Sequence, residues 1–289
     1  MLIGEEYRKC VVFLFADVPD PDTGDLQRTP AGTAFLAGIP APGHPPPVGN
    51  EGMYLRYLVT ARHVVALSRK FGSLFARIHL ADGSAPFMEF PPDSWHQHAT
   101  TEVAVALLRT FAPIDHVLIA VSQFELDEIA IAHKVAIGDE VFFVGLFSEH
   151  PGIERNQPIV RFGNISLMPD EKVLVDSGDS TARIRAYLVE ARSWGGHSGS
   201  PAFVYFLPDR FGNSISMRVD VPTYLLGLVQ GHYNIKSDVK FIGDTGEVSM
   251  NAGIAAVVPA QDIYDLLMSD SVVAERDDLL DRSAGGSAS

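Results

Sequence analysis

The eight residues Trp194-Gly195-Gly196-His197-Ser198-Gly199-Ser200-Pro201 constrain this chain more than any other stretch. Glycines and a proline crowded around one hydroxyl spell a tight turn. The apolar run 202–206 that follows spells the buried strand the turn must enter. Glycine adopts positive φ and lets the backbone approach another group closely. A serine between Gly196 and Gly199 can therefore stand exposed, with its own N–H and that of Gly196 pointing the same way. Two such donors could hold the oxyanion that forms when a serine attacks a carbonyl. An ordinary Gly/Ser hairpin turn uses the same letters, so the motif alone leaves both readings open.

Tyr57-Leu58-Val59-Thr60-Ala61-Arg62-His63-Val64-Val65 supplies a second constraint: a strand-like apolar run that ends in a histidine. A nucleophilic serine needs a base that titrates near neutrality, and imidazole is the side chain that does so. A lone histidine is more often a satisfied core or surface group. Here that reading must also account for Thr-Ala just before the Arg-His pair and for the serine turn downstream.

With both stretches in view, the chain resembles the trypsin-like, chymotrypsin-fold serine proteases, and their bacterial members in particular. Thr60-Ala61-Arg62-His63 is similar to the TAAH motif of that family, and Gly196-His197-Ser198-Gly199-Ser200-Pro201 to its G-D/N-S-G-G/S-P motif. Gly32-Thr33-Ala34-Phe35 resembles the G-S/T-G/A-F strand ahead of the histidine. The order histidine, acid, serine is the one these motifs require. The resemblance covers roughly residues 10–268. It implies an all-β fold of two six-stranded antiparallel β-barrels with a C-terminal helix and the active site in the cleft between them. The implied division is 1–125 for the barrel with the histidine and acid, 126–270 for the barrel with the serine, and 271–289 for a flexible tail. Periodicity alone reads only as mostly β, from short strands between turn signals.

Composition narrows the partners. Thirty-six acids against 22 bases give a formal charge of −14, which argues against a nucleic-acid or anionic-membrane binder. The single cysteine, Cys10, rules out an internal disulfide framework and points to a reducing, cytoplasmic setting. Glu5 and Glu6 stand where a signal peptide would be basic, and no run reaches the ~20 apolar residues of a membrane span. No metal or cofactor is expected. His96 and His98 form a His-x-His pair, but no further ligands cluster near them in sequence.

Along the chain, strands are expected at 7–16, 31–38, 53–60, 71–81, 84–90, 103–108 and 117–122, with a short helix at 64–68 after the histidine. The Pro-rich stretch 39–51 is expected as a loop, because proline cannot donate to a sheet ladder. In the second half, strands are expected at 138–145, 160–166, 184–191, 202–206, 224–230 and 251–259, with a polar insertion at 207–222. A closing helix at 260–268 carries Ile263, Leu266 and Leu267 at helical spacing.

The resemblance assigns roles residue by residue. Ser198 is the expected nucleophile and His63 the general base and then acid. The N–H groups of Gly196 and Ser198 form the expected oxyanion hole. The family's orienting aspartate precedes a D-V-A-V-L strand, and here the matching position is Glu102, before Val103-Ala104-Val105-Ala106-Leu107. Glutamate is one methylene longer, so strand or ring must adjust to keep a contact of about 2.6–3.2 Å. Asp93, Asp115, or no acid at all remain alternatives. A triad that loses the correct tautomer loses on the order of 10⁴ in kcat. Gly227-Leu228-Val229-Gln230-Gly231 resembles the G-I-V-S-W-G segment lining the primary pocket, with His232 on its wall and Arg192 at its floor. An inward Arg192 favours an acidic substrate side chain; the alternative has it facing solvent. The implied reaction is hydrolysis of a polypeptide through an acyl-enzyme, with no freed I-V-G-G terminus to switch it on. A regulatory protein partner is one way such an enzyme is controlled. The competing reading is a pseudoprotease that uses the fold as a binding module. An α/β-hydrolase is disfavoured, since Ser200 stands where G-x-S-x-G needs glycine and only His232 follows the serine closely.

Overall fold

A computed structural model describes residues 3–41, 54–110, 112–176, 181–191, 195–206, 223–241 and 244–285. Residues 42–51 of the Pro-rich stretch, the polar insertion 207–222 and Arg192 lie outside the described residues, so the expectations placed on them do too. Ile39 and Pro40, expected in the loop, are strand and pair with Leu55 and Tyr54.

The chain opens with helix α1 (Glu5–Lys9) and then β1 (Val11–Pro19). Residues 7–9, expected in the first strand, are therefore helical. The reason is packing: the Tyr7 ring meets the edges of Phe142 and Phe203 at 5.2 and 5.1 Å, which ties α1 to the far half of the molecule. Then come β2 (Leu26–Pro40), β3 (Tyr54–Ala61), α2 (Arg62–Phe71), β4 (Leu74–Arg77), β5 (Phe87–Phe90), β6 (His96–Gln97), β7 (Val103–Leu107) and β8 (Ile119–Ala120). These eight strands make one sheet in the order β5-β4-β1-β2-β3-β7-β6, with β8 added in parallel to β2. Val11 to Phe15 are buried on both faces of the sheet, which is why that stretch reads as an unbroken apolar run.

Helix α3 (Asp127–His133) follows, and then β9 (Glu140–Gly145), β10 (Ile159–Leu167), β11 (Lys172–Asp176), β12 (Thr181–Arg185), β13 (Tyr187–Glu190), β14 (Pro201–Tyr205), β15 (Thr223–Phe241) and β16 (Asp244–Pro259). Six of these close into a barrel, β10-β13-β16-β15-β14-β9, and β11 and β12 pair as a separate hairpin. The hairpin of β15 and β16 runs far beyond the barrel, from Gly227↔Pro259 to Phe241↔Asp244.

Two six-stranded barrels were expected. The second has that form; the first half is an eight-stranded half-barrel that does not close among the described strands. Its end strand β5 is bracketed by Pro86 and Pro91-Pro92, which have no N–H to offer a further ladder.

Alternation along β9 shows how the halves join. Val141 and Phe143 point into the barrel's own core, while Phe142 and Val144 join the larger core shared with the first sheet. Phe203, Leu225, Leu228, Ala256 and Val258 extend that shared core from the barrel's outer wall.

The C-terminal helix is two helices, α4 (Ala260–Leu267) and α5 (Asp270–Gly285). The stretch expected as a flexible tail from 271 is thus helical to 285. One face of α5 packs back on the core through Val272, Leu279 and Leu280. Glu275 adds an ion pair to Arg109 at 2.8 Å and a contact to His96 Nε2 at 3.1 Å. No helix among the described residues is long and apolar enough to cross a membrane.

Candidate active site

Strand pairing delivers the acid to the histidine. β3 and β7 run antiparallel with Ala61 opposite Val103. The ladder continues one step further, from Arg62 N–H to Glu102 C=O at 3.2 Å. His63, the second residue of α2, therefore lies beside Glu102 although 39 residues separate them in sequence. Glu102 Oε2 lies 2.9 Å from His63 Nδ1 and accepts the His63 backbone N–H at 3.2 Å. Its other oxygen lies 3.3 Å from Arg62 Nη2. Glu102 is 3% exposed. Burial pushes its carboxyl up, but the hydrogen bond and charge of His63, the Arg62 guanidinium and the His63 N–H together hold it below the usual carboxylate range. An ionised carboxylate on Nδ1 fixes the tautomer with its proton there, leaving Nε2 as the basic nitrogen.

Asp115, an alternative acid, is occupied elsewhere by Lys9 at 2.7 Å and Arg155 at 2.9 Å. Asp93 sits in a single 3-10 turn at 92–94.

The serine turn is built from the other half of the chain. Gly196 and Gly199 hold φ of +98° and +90°, which a side chain would strain. Ser200 N–H donates to His197 C=O at 2.9 Å and Gly199 N–H to Val229 C=O at 2.8 Å. Ser148 N–H reaches Gly195 C=O at 3.4 Å. A trans peptide sets its C=O and N–H antiparallel. With the carbonyls of Gly195 and His197 bonded to Ser148 and Ser200, the N–H groups of Gly196 and Ser198 point away from those donors. Among the described residues neither of those N–H groups has a hydrogen-bond partner.

Thr33, on β2, ties the turn to the sheet that carries the histidine. Its N–H donates to Ser198 C=O at 2.9 Å and its hydroxyl to Gly196 C=O at 2.7 Å. The same hydroxyl accepts Leu146 N–H at 2.9 Å, and Thr33 C=O accepts the Thr60 hydroxyl at 2.6 Å. Gly32 sits between the two parts: a Cβ there would lie 2.9 Å from a methyl of Val64 and 3.2 Å from Ser198 C=O. Ser198 is thereby brought to the residue next to His63. No direct hydrogen bond joins the Ser198 and His63 side chains among the described residues.

Gln230, Gly231 and His232 continue β15 directly beyond Val229, which is bonded on both sides to the serine turn. Gln230 is buried, and the space a Cβ would take at Gly231 is open. Burial holds the His232 imidazole below its ordinary value, against a hydrogen bond with Asn234. Arg192 lies outside the described residues. Among the described residues no group of three or more His, Cys, Asp or Glu side chains could hold a metal.

Sequence reasoning missed Arg62, Thr33 and Ser148 as site-building residues. Arg62 did carry a signal, because it stands where the resembled motif has alanine.

No family model matches the sequence, and no curated protein matches it. Among solved structures, the Rv3671c protease from M. tuberculosis in its active form is similar at a TM-score of 0.44 and 16% identity, covering 90% of this chain and 80% of that one. The inactive form of Rv3671c protease is similar at a TM-score of 0.43 and 16% identity, covering 90% and 88%. Likenesses this distant leave the site's chemistry to rest on its own geometry.

Proposed function

We propose that the protein is a serine-type endopeptidase. Ser198 Oγ attacks the carbonyl carbon of a peptide bond as its proton passes to His63 Nε2. The resulting imidazolium, stabilised by Glu102, returns that proton to the departing amine as the C–N bond breaks. Water, deprotonated in turn by His63, releases the acyl group from Ser198. The N–H groups of Gly196 and Ser198 hold the developing oxyanion. Gln230, Gly231 and His232 are the residues we assign to the substrate side chain, and the substrate class is polypeptide.

The observation that carries this reading is the 2.9 Å contact between His63 Nδ1 and buried Glu102, in a chain whose serine turn is bonded to the same sheet. A carboxylate so placed supports a histidine that gains and loses a proton. A merely structural histidine has no need of two unbonded N–H groups on a serine loop tied to its own sheet.

A fluorophosphonate probe tests the proposal. Wild type is expected to be labelled, Ser198→Ala not at all, and His63→Ala at least about 100-fold more slowly. A folded wild-type protein that takes no label would leave the fold as a binding module.

A further inference from the structure

A buried carboxylate with one oxygen on a histidine still has a second oxygen to satisfy, because an unpartnered buried charge is costly. At Glu102 that second oxygen faces Arg62, with Nη2 to Oε1 at 3.3 Å. Arg62 also donates from Nη1 to His98 C=O at 3.4 Å. The His98 ring in turn accepts the N–H groups of Thr100 and Thr101 at 3.2 and 3.1 Å. One guanidinium thus touches both the acid and the loop that delivers it. Glutamate has one more rotatable bond than aspartate, so its carboxylate has more positions to lose before it lies on an imidazole. A planar guanidinium anchored by Nη1 on His98 C=O and set with Nη2 beside the far oxygen limits that freedom. Positions 62 and 102, where the chain departs from the two motifs it resembles, are in direct contact.

We propose that Arg62 is a positioning residue for the glutamate: by holding Oε1 it turns Oε2 onto His63, so that the long acid and the arginine work as one unit. This rests on His63, Glu102 and Ser198 being the reacting set.

The test uses Arg62→Ala, Arg62→Lys, Glu102→Asp, and Arg62→Ala with Glu102→Asp, with Glu102→Gln as the assignment control. Two readouts are followed: the low-field proton resonance of His63 Nδ1–H, assigned by its loss in Glu102→Gln, and kcat and KM on a fluorogenic peptide. Arg62→Ala is expected to broaden or move the resonance and lower kcat about tenfold at unchanged KM. Arg62→Lys restores most of both. The double variant exceeds the product of the two singles, because an aspartate no longer has to choose between arginine and histidine. Wild-type resonance and kcat in Arg62→Ala would overturn the proposal, as would singles that simply multiply in the double. If wild type turns over no peptide, the endopeptidase reading fails, while the resonance still decides what Arg62 does to the His63–Glu102 pair.

Discussion

Replacing Thr33 by valine removes one oxygen and leaves the side chain's volume nearly unchanged. That oxygen has two tasks. It donates to Gly196 C=O at 2.7 Å and accepts Leu146 N–H at 2.9 Å. Thr33 and Leu146 are both fully buried, so water cannot replace the lost partner at the Leu146 N–H. A buried backbone group left unpaired costs about 1–3 kcal/mol. Gly196 is only part-buried, so its carbonyl recovers some of its loss from solvent. The two together predict about 2–4 kcal/mol of destabilisation, a large share of the roughly 5–15 kcal/mol that holds a domain folded. The same change frees the serine turn from β2 at Gly196, so fluorophosphonate labelling of Ser198 is expected to slow by at least about tenfold. Thr33→Ser keeps the oxygen and should stay close to wild type in both respects. Urea denaturation followed by circular dichroism reads the stability change as a shift in midpoint at constant slope. A Thr33→Val protein within about 0.5 kcal/mol of wild type, labelled at the wild-type rate, would refute the role given to this hydroxyl.

Two further outcomes are expected. His79 accepts Asn156 N–H on Nε2 at 2.9 Å and is held down to about 4 by burial first, then by His116, Arg155 and Arg77. A lowered histidine contributes stability that is complete above the ordinary 6.5 and is lost as pH falls from there towards 4. That loss is at most about 3 kcal/mol, read as the difference in urea stability between pH 7 and 4, and it should shrink in His79→Gln. An equal pH dependence in both proteins would exclude His79 as its source. Gly199→Ala, in turn, forces a Cβ to within 1.9 Å of Thr33 C=O and 2.4 Å of the Thr60 hydroxyl at a φ of +90°. Backbone strain of about 1–2 kcal/mol and a displaced serine turn should lower the melting temperature and abolish labelling. An alanine variant with the wild-type melting temperature and labelling rate would show that the turn does not depend on this close approach.

Much of this molecule was written in local letters. Val11 to Phe15, Val103 to Leu107 and Val141 to Val144 are apolar runs bounded by turn residues, and each became a buried strand. Gly196 and Gly199 announced positive φ on either side of a serine, and both adopt it. These features depend on backbone sterics and on the affinity of apolar side chains for one another, which act over a few residues. Other features were not legible. Tyr7 looked like strand because it precedes Val11, yet it is helical for the sake of two rings more than 130 residues away. Helix α5 looked like a tail because Val272, Leu279 and Leu280 make a sparse apolar stripe whose partner core lies at the other end of the chain.

The site divides the same way. An imidazole and a hydroxyl in tell-tale surroundings could be picked out one at a time. Glu102 was expected as the acid from its place before the apolar strand; that its carboxylate lies on His63, with Arg62 on its far oxygen, follows from the register of β3 on β7. That Thr33 grips Gly196 across 163 residues follows from the docking of barrel on half-barrel. Register and docking minimise the free energy of the whole chain at once, so they surface only where it has folded.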